Sequence, residues 1–342
     1  MMRQAILYGA GDLRIEERSL DPDALRDDEV YVETEVSALS TGTDLGNYLG
    51  CSTDLPGAPD YPRTVGYSNV GVVRHAGAAV RHIQPGQRVF SLKPHQSAYL
   101  AGPADMLVPV PAGVSPEQAS LSYLTELGVA ALRQAGYETG ENVVVVGLGV
   151  IGLATVGMAR VMGARVAAIG NAPERLRLAS TVGAHATLPA EDVARAEDLR
   201  SVFGETGADI VILTANTWDA YRLSVEVVRH GGRVSVLGFP GRGQAPPAFN
   251  PLSPQWFYGK QLTLIGAGYA PRLECAPGEL RFNLRRNLEY ILAAMASGAL
   301  ALEPIITHRL PAAQMREAYE LARAHSKTLA AAVFDWRAGA GQ

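Results

Sequence analysis

The feature that most constrains the fold is a glycine-rich hexamer that directly follows a short, wholly apolar run. Residues 143–146 are four valines, as expected for a strand buried on both faces of a parallel sheet. Residues 150–162 are compatible with a helix. Between them lies the sequence Gly147-Leu148-Gly149-Val150-Ile151-Gly152, a GxGxxG pattern. A strand, a glycine loop and a helix in this order predict a dinucleotide-binding segment.

Each part of such a loop has its own task. Gly147 allows a tight turn, Gly149 lets the backbone approach a pyrophosphate, and Gly152 lets the helix pack closely on the strand. Val150 and Ile151 open the helix, whose free N–H groups and partial positive charge would face the phosphates. The alternative, an ordinary strand–helix turn, is the weaker interpretation because a buried strand precedes the loop.

The residues that follow the second strand, at 166–169, indicate whether the bound adenosine ribose carries a 2′-phosphate. An NAD site normally carries Asp or Glu about 20 residues past the first glycine. Here Gly170 and Asn171 occupy that region and Arg175 follows, so a 2′-phosphate would find room and hydrogen-bond donors. These residues predict NADPH (or NADP+) in preference to NADH. The alternative is that Arg175 and Arg177 are solvated helix residues.

The chain of 342 residues is long enough for two domains. Its first part alternates short β-like runs with Gly and Pro turns, at residues 4–8, 30–38, 68–75 and 88–91. Its second part alternates strands with helices, which predicts a doubly wound parallel sheet with strands at 143–146, 166–169, 209–213, 233–237 and 262–265. Helices over 284–297 and 312–324 and strands at 305–309 and 333–334 follow.

Composition excludes several classes of protein. Hydrophobic residues make up 47% and charged residues 19%, as in a globular chain. The net charge of −4, without a Lys or Arg run, argues against nucleic acid or a membrane surface as a partner. Two cysteines, Cys51 and Cys275, cannot form a disulfide framework. No signal peptide or membrane span is visible, so we expect a cytoplasmic protein.

The motifs together resemble the medium-chain dehydrogenase/reductase superfamily along essentially the whole chain. The resemblance rests on the glycine loop and on residues 38–44 (ALSTGTD), 61–71 (YPRTVGYSNVG), 85–89 (PGQRV), 231–234 (GGRV) and 306–310 (ITHRL). It implies an α/β protein with a GroES-like β domain over 1–122, completed by 269–342, and a Rossmann domain over 123–268. It also implies an NAD(P)-dependent enzyme whose substrate is a small-molecule alcohol or carbonyl compound.

Zinc-dependent members of this family bind the metal through Cys, His and a further Cys or acidic residue. The matching positions here are Thr41, Tyr67 followed by Ser68, and about Leu121, none of which suits zinc. The four-cysteine structural lobe of the family is also missing, so we expect no metal. The nearest branch is zinc-free and similar to bacteriochlorophyllide (hydroxyethyl) dehydrogenase, through residues 89–95 (VFSLKPH) and 283–288 (NLRRNL).

Without a metal, side chains must stabilise charge on the reacting oxygen and supply a proton. Thr43 matches the family's proton-relay position, and Tyr67 stands where the metal-binding His would be. Lys93 and His95 lie on a segment that the resemblance brings toward the same cleft, and His95 suits a general acid/base. Alternatively, Thr43 or Asp44 caps a helix, Tyr67 is a packed aromatic residue, and His95 lies on the surface.

Further cofactor contacts are expected where the strands of a parallel sheet end. Thr214 and Ala215 follow the fourth strand of the Rossmann unit. The fifth strand is followed by residues that would flank the nicotinamide: Leu237, Gly238 and Phe239. The resemblance adds Lys327, at a position whose basic residue approaches the pyrophosphate.

The sequence therefore predicts a zinc-independent, NADP(H)-dependent oxidoreductase that interconverts a secondary alcohol and a ketone or aldehyde. Aromatic residues expected near the cleft predict a bulky or ring-containing substrate of the secondary-metabolite type: Tyr48, Trp256, Phe257, Tyr258 and Tyr269. Two alternatives stay open. One is an NADPH-dependent enoyl or quinone reductase acting on an activated C=C bond, and the other is a cofactor-binding protein without turnover.

The last Rossmann strands also predict assembly. In this family they pair edge to edge across a dimer axis, here through residues 233–237 and 262–265. An apolar strand edge left open would invite aggregation, so we expect a homodimer or a dimer of dimers. The alternative is an edge covered by the loop of residues 240–254.

Overall fold

The structure, a computed structural model, describes residues 1–51, 60–268 and 282–337. It divides into two compact units. The first contains Met1–Tyr123, Leu288–Gly298 and Ile306–Gln342, and the second contains Leu124–Asn287 and Ala299–Ile305. The boundaries expected from the sequence, 1–122 with 269–342 and 123–268, stay a prediction. The units differ from them chiefly because residues 282–287 and 299–305 group with the second unit.

The described strands are β1 (Met2–Leu7), β2 (Leu13–Arg18), β3 (Val30–Ala38), β4 (Arg63–Thr64), β5 (Asn69–Ala76), β6 (Arg88–Ser91), β7 (Ala98–Ala101), β8 (Leu107–Pro109), β9 (Asn142–Val146), β10 (Arg165–Gly170), β11 (Ala186–Pro189), β12 (Ala208–Leu213), β13 (Val228–Val236), β14 (Thr263–Gly266), β15 (Ile306–Pro311) and β16 (Ala331–Asp335). The α-helices are α1 (Thr43–Tyr48), α2 (Pro116–Ala119), α3 (Ser122–Gln134), α4 (Val150–Val161), α5 (Pro173–Thr181), α6 (Arg200–Phe203), α7 (Trp218–Val227), α8 (Leu284–Ala296) and α9 (Met315–Arg323). The sequence patterns predict no strand at β2, β4, β7, β8 or β11.

The first unit is built on β-sheets. One sheet has the order β2-β1-β4, and a larger one has the order β15-β16-β3-β5-β6-β8, with β7 pairing β3. Strand β16 comes from the far end of the chain and pairs antiparallel with β3, so that Phe334 lies opposite Ser37. Two clusters of buried apolar side chains pack on these sheets. The C-terminal segment is thus part of the first unit's main sheet.

The second unit contains six parallel strands in the order β11-β10-β9-β12-β13-β14. The four valines of β9 are buried, since the strand lies between β10 and β12. Numbered along the chain from β9, the order is 3-2-1-4-5-6, that of a doubly wound dinucleotide-binding sheet. In such a sheet the order reverses beside the first strand, and ligands bind at the carboxyl ends of the strands there.

The loop of residues 240–254 packs against α7. The side-chain oxygen of Gln244 accepts from the backbone N–H of Trp218, and the Tyr221 hydroxyl donates to the carbonyl of Pro251. Strand β14 pairs with β13 on one side, and among the described residues no strand pairs with its other side. No helix in the described ranges is both long and apolar enough to cross a bilayer.

Candidate functional site

The glycine loop after β9 has the close contacts that only glycine permits. Gly147 has φ of +97°, and a Cβ atom there would lie 2.7 Å from the backbone nitrogen of Ala215. A Cβ atom on Gly152 would lie 1.9 Å from the carbonyl oxygen of Gly147. Any side chain at either position would therefore push α4 or the end of β12 away from the loop.

Helix α4 begins directly behind this loop. Its N-cap is Gly149, in extended backbone, and no side chain bonds to the first-turn amides. Val150 is buried and Ile151 is half-buried, so the helix start is anchored on its apolar side. An uncapped helix N-terminus at the carboxyl edge of a parallel sheet is suited to bind phosphate.

Thr214 and Ala215, at the end of β12, shape the loop. The Thr214 hydroxyl donates to the carbonyl oxygen of Gly147 at 2.7 Å, and its backbone N–H donates to Val146 at 2.9 Å. Ala215 lies against Gly147, as the close approach described above shows. The structure thus gives both residues a place in the loop's support, which the sequence does not reveal.

The ribose end of the site differs in one respect from expectation. A Cβ atom on Gly170 would lie 2.7 Å from Cδ1 of Leu148, so this glycine makes room for Leu148 rather than for a phosphate. Asn171 is exposed. Arg175 lies in the first turn of α5 and is half-buried, and this burial lowers the pKa of its guanidinium while neighbouring Glu174 raises it.

The end of β13 is joined to the end of β12. The N–H groups of Leu237 and Gly238 both donate to the carbonyl of Leu213, at 2.9 and 2.8 Å. The N–H of Phe239 donates to the side-chain oxygen of Asn216 at 2.8 Å, and its ring is 44% exposed. These contacts fix the backbone at the expected nicotinamide position and leave an aromatic ring exposed there.

In the first unit, three hydroxyl groups lie together, and we call Ser40, Thr43 and Tyr67 the hydroxyl cluster. The Tyr67 phenol donates to the Ser40 oxygen at 2.5 Å and also lies within hydrogen-bonding reach of the Thr43 side chain. The Tyr67 ring packs edge-on against Tyr123. Burial and the negative charge of Asp44 raise the pKa of the Tyr67 phenol well above its usual range, so Tyr67 keeps its proton at neutral pH.

Asp44 is buried beneath the hydroxyl cluster. One carboxylate oxygen accepts the N–H of Ser40 at 2.9 Å, and the other accepts the N–H of Gly66 at 3.0 Å. The N-cap of α1 is Gly42, without a side-chain cap, so the alternative that Thr43 or Asp44 caps this helix is wrong. Asp44 instead joins the segment that carries Ser40 and Thr43 to the one that carries Tyr67.

His95 and Lys93 lie outside this cluster. His95 is 0% exposed, so the surface alternative is wrong, and burial also argues against direct contact with a substrate. Its Nδ1 lies 2.8 Å from the Ser37 hydroxyl. The Lys93 ammonium pairs with Asp105 at 2.9 Å in the same unit. The structure therefore brings Thr43 and Tyr67 together and gives Lys93 a surface ion pair.

Two of the aromatic residues that were expected to line a substrate pocket are buried elsewhere. Tyr48 is buried and donates to Glu320 at 2.5 Å, and Trp256 is buried and donates to Glu226 at 2.6 Å. Both belong to the hydrophobic cores, so their assignment to a substrate pocket is wrong. Phe257 and Tyr258 are exposed. Tyr269 lies outside the described residues.

Lys327 lies in the first unit, in the turn that follows α9. Its side chain is exposed. The hydroxyl groups on either side of it, those of Ser326 and Thr328, lie 2.9 Å apart. Its expected approach to a pyrophosphate stays a prediction.

The chain matches known proteins over most of its length. The model of a family described as "Zinc-binding dehydrogenase" matches residues 150–279. A probable zinc-binding alcohol dehydrogenase of Mycobacterium tuberculosis is 29% identical, over 95% of this chain and 86% of that protein. Other relatives are named as dehydrogenases of L-galactonate, sorbitol and L-threonine.

Solved structures of dehydrogenases have the same fold as this chain. Galactitol-1-phosphate dehydrogenase from Escherichia coli superposes with a TM-score of 0.79 at 21% identity, over 97% of this chain and 99% of that one. A putative zinc-binding dehydrogenase from Sinorhizobium meliloti, bound to NADP, superposes with a TM-score of 0.75 at 21% identity, over 98% and 99%.

The chain belongs to the medium-chain dehydrogenase/reductase superfamily. This confirms the prediction of an NAD(P)-dependent oxidoreductase of this superfamily. It also confirms the prediction of a fold with a GroES-like and a Rossmann domain. The nearer resemblance to the zinc-free branch stays a prediction. Relatives named as dehydrogenases of L-galactonate and sorbitol support interconversion of an alcohol and a carbonyl compound.

Zinc is the metal that the family description implies, and the side chains at its expected positions do not fit it. Thr41 offers a hydroxyl, Leu121 offers only hydrocarbon, and the Tyr67 phenol keeps its proton. The Ser68 hydroxyl donates to the carbonyl of Ser120. Zinc prefers thiolate, neutral imidazole and carboxylate. Within the described ranges, no three His, Cys, Asp or Glu side chains are grouped to hold a metal.

Sequence patterns alone do not identify Ser40 and Asp44 as site residues. Ser40 lies in the ALSTGTD segment beside the noted Thr43, and only the fold shows that its hydroxyl meets Tyr67. Asp44 has a signal in the sequence, since a carboxylate next to the relay threonine is one of few charges in an apolar stretch. Its two N–H partners lie 4 and 22 residues away, which no local pattern indicates.

We expect Gly152→Ala to weaken NADPH binding by more than about tenfold, which corresponds to about 1.4 kcal/mol. The added Cβ would meet a backbone carbonyl that cannot move without opening the loop. Gly157→Ala on the same helix is the matched control, because its Cβ would meet only the end of the Leu300 side chain, which can turn away. Fluorescence titration measures both. Equal affinities in the two variants would contradict this account of the loop.

Proposed function

We propose that this enzyme is a zinc-independent, NADP(H)-dependent oxidoreductase that interconverts a secondary alcohol and a ketone or aldehyde. The observation that carries the proposal is the hydroxyl cluster, because its Tyr67 stands at a position where zinc-dependent relatives would bind their metal, and Ser40 and Thr43 lie beside that phenol. Protonated hydroxyl groups at that place can donate hydrogen bonds to an oxygen that becomes negative during the reaction. The glycine loop of the second unit supports the cofactor part of the proposal.

The nicotinamide, when bound, accepts or supplies the hydride. The chain's own residues then handle the substrate oxygen. In ketone reduction, Tyr67 or Thr43 donates a hydrogen bond to the carbonyl oxygen as negative charge develops on it; when its proton passes to that oxygen, the hydroxyl group takes one from water in exchange and is neutral again. In alcohol oxidation the relay runs in reverse: the hydroxyl group accepts the proton of the alcohol and passes its own proton to water. The raised pKa of Tyr67 supports the role of a neutral donor rather than that of a phenolate base.

The preference for NADPH rests on the end of β10. No carboxylate follows this strand before Glu174, which is exposed, so nothing there would bind a 2′-hydroxyl in the usual NAD manner. Arg175 is half-buried in the first turn of α5, where an anion also benefits from the helix N-terminus. The related Sinorhizobium meliloti structure bound to NADP supports the same cofactor.

We expect Arg175→Ala to weaken NADPH binding by about tenfold or more and to leave NADH binding nearly unchanged, because only NADPH carries the 2′-phosphate. Arg177→Ala removes the same charge from an exposed position of the same helix and is the matched control. Fluorescence titrations with both cofactors measure the effect. If Arg175→Ala weakened both cofactors equally, the assignment of Arg175 to the 2′-phosphate would be wrong.

Turnover should survive removal of metal. We expect the purified enzyme, treated with a strong chelator and checked for zinc by mass spectrometry, to reduce ketones with NADPH at an unchanged rate.

Tyr67→Phe, which keeps the ring packing and removes only the hydroxyl, should lower kcat by about 100-fold. Tyr99→Phe is a matched control, because the Tyr99 hydroxyl contacts Ser91 away from the cluster.

A panel of small and ring-containing ketones, alcohols and enones also tests the substrate class. Since Tyr48 and Trp256 belong to the cores, the exposed Phe257 and Tyr258 are the aromatic residues in the described ranges that still support a large, ring-containing substrate. Restoration of lost activity by zinc would overturn the metal-free proposal. Reduction of enones without ketones would favour the alternative of a C=C reductase.

We also propose a homodimer, formed through the open side of β14. Its two end residues are exposed, its two middle residues are half-buried, and Leu264 packs on the core, so the strand is anchored in the unit while its outer edge has no partner among the described residues. Edge-to-edge pairing of two such strands would satisfy their free backbone groups.

Sedimentation velocity should give twice the 36.3 kDa of one chain. Thr263→Lys places a charge on the exposed edge of β14, and in a symmetric dimer two such charges would repel, so we expect dissociation to monomers. Thr187→Lys, on the opposite edge strand β11 of the same sheet, should remain dimeric. A wild-type monomer, or a dimer that Thr263→Lys leaves intact, would contradict pairing through β14.

A further inference from the structure

Four buried side chains of the first unit form a continuous series from the C-terminal segment to the hydroxyl cluster, and we call Trp336, Ser37, His95 and Asp44 the buried chain. The indole Nε1 of Trp336 donates to the Ser37 oxygen at 2.9 Å, and that oxygen lies 2.8 Å from Nδ1 of His95. Nε2 of His95 lies 3.7 Å from a carboxylate oxygen of Asp44. All four side chains are at most 2% exposed.

The donors and acceptors along this series fix the position of the imidazole proton. An indole N–H can only donate, so the Ser37 oxygen accepts from Trp336 and its own proton is free to point at Nδ1. The opposite arrangement would place the proton on Nδ1 and direct the lone pair of Nε2 toward a carboxylate. Electrostatics disfavours that arrangement, so the ring carries a proton on Nε2, facing Asp44.

Nε2 of His95 is buried and forms no hydrogen bond within the usual distance to any residue that the structure describes. At 3.7 Å from Asp44 it is close enough for attraction but longer than a hydrogen bond. If the ring turned this buried N–H away from the carboxylate, the attraction would be lost and nothing would replace it, which would be costly. The attraction between Nε2 and Asp44 therefore keeps the imidazole in place. The dipole of the ring in turn stabilises the negative charge of Asp44.

The His95 ring also supports the backbone that carries Tyr67. Gly66 has φ of +85°, and a Cβ atom there would lie 2.5 Å from the ring. The backbone of Gly66 thus rests directly on the imidazole while its N–H donates to Asp44. The His95 backbone is itself fixed, since its N–H donates to Val65 and its carbonyl accepts from Ala5.

We infer that His95 and Asp44 are positioning residues for the hydroxyl cluster, with the Nε2 proton of His95 facing Asp44, and that neither touches the substrate. The carboxylate of Asp44 accepts hydrogen bonds from the N–H groups of Ser40 and Gly66. The His95 ring packs against the backbone of Gly66 and lies beside Asp44. This assignment rests on the proposed function for its effect on turnover. Its structural part, the Nε2 proton and the contacts, does not depend on any substrate.

The first test uses the wild-type enzyme and needs no turnover. Nitrogen-15 NMR of histidine-labelled protein distinguishes a protonated ring nitrogen from an unprotonated one, and the His95 signals are those that His95→Gln removes. We expect Nε2 to carry a proton. An unprotonated Nε2 would overturn the inference whatever the enzyme's substrate is.

The second test compares His95→Leu with His95→Gln. We expect His95→Leu to lower kcat by about tenfold or more, with NADPH affinity unchanged within about twofold, because a small displacement of the hydroxyl groups slows the chemical step. His95→Gln, whose amide N–H can reach toward Asp44, should recover part of the loss. Gln96→Leu, a neighbouring buried polar residue bonded to Gln4, is the control that should keep kcat.

The outcomes separate the two proposals. Full kcat in His95→Leu would overturn the positioning role, and so would a loss in His95→Gln as large as that in His95→Leu. If the wild-type enzyme turned over no substrate on the panel, the proposed function would fail. The NMR result would then still decide whether the buried chain has the assigned Nε2 proton.

Discussion

The cofactor half of this enzyme depends on one close contact, between Gly152 and the carbonyl of Gly147. With no side chain between them, α4 can begin at the carboxyl end of β9 and present its uncapped N-terminus there. The Thr214 hydroxyl bonds the same carbonyl, so β12 and the loop are held at one atom. Because parallel strands β9 and β12 flank the point where strand order reverses, this contact also fixes where a dinucleotide can bind.

The first unit depends on contacts between residues that are far apart in the sequence. Strand β16 brings Phe334 and Trp336 against β3, where Trp336 bonds Ser37 and Phe334 packs edge-on against His95. The hydroxyl cluster is carried by two loops and by the first residue of α1, and loops hold their side chains less firmly than strands do. The buried chain under the cluster transfers the rigidity of the sheet to these loops.

Residue patterns predict the local parts of this molecule and miss those set by tertiary packing. The β9–loop–α4 segment follows from the sequence because its apolar run and its glycines act within 20 residues. Strand β2 escapes prediction because its polar, half-exposed residues carry little apolar signal. Tyr48 is misassigned because an aromatic residue looks the same in a pocket and in a core, and Gly170 is misread because its neighbour Leu148 precedes it by 22 residues.

A cluster of neutral hydroxyl groups places different demands on a protein than a metal ion would. A metal carries a full charge, and its field reaches a substrate oxygen over a range of positions. A hydrogen bond weakens steeply once its angle or length departs from the optimum. An enzyme that relied on Tyr67 and Thr43 would therefore need their oxygen atoms held within a fraction of an ångström. The buried carboxylate of Asp44 accepts two backbone hydrogen bonds and cannot move without breaking them, so it is the kind of support that such precision requires.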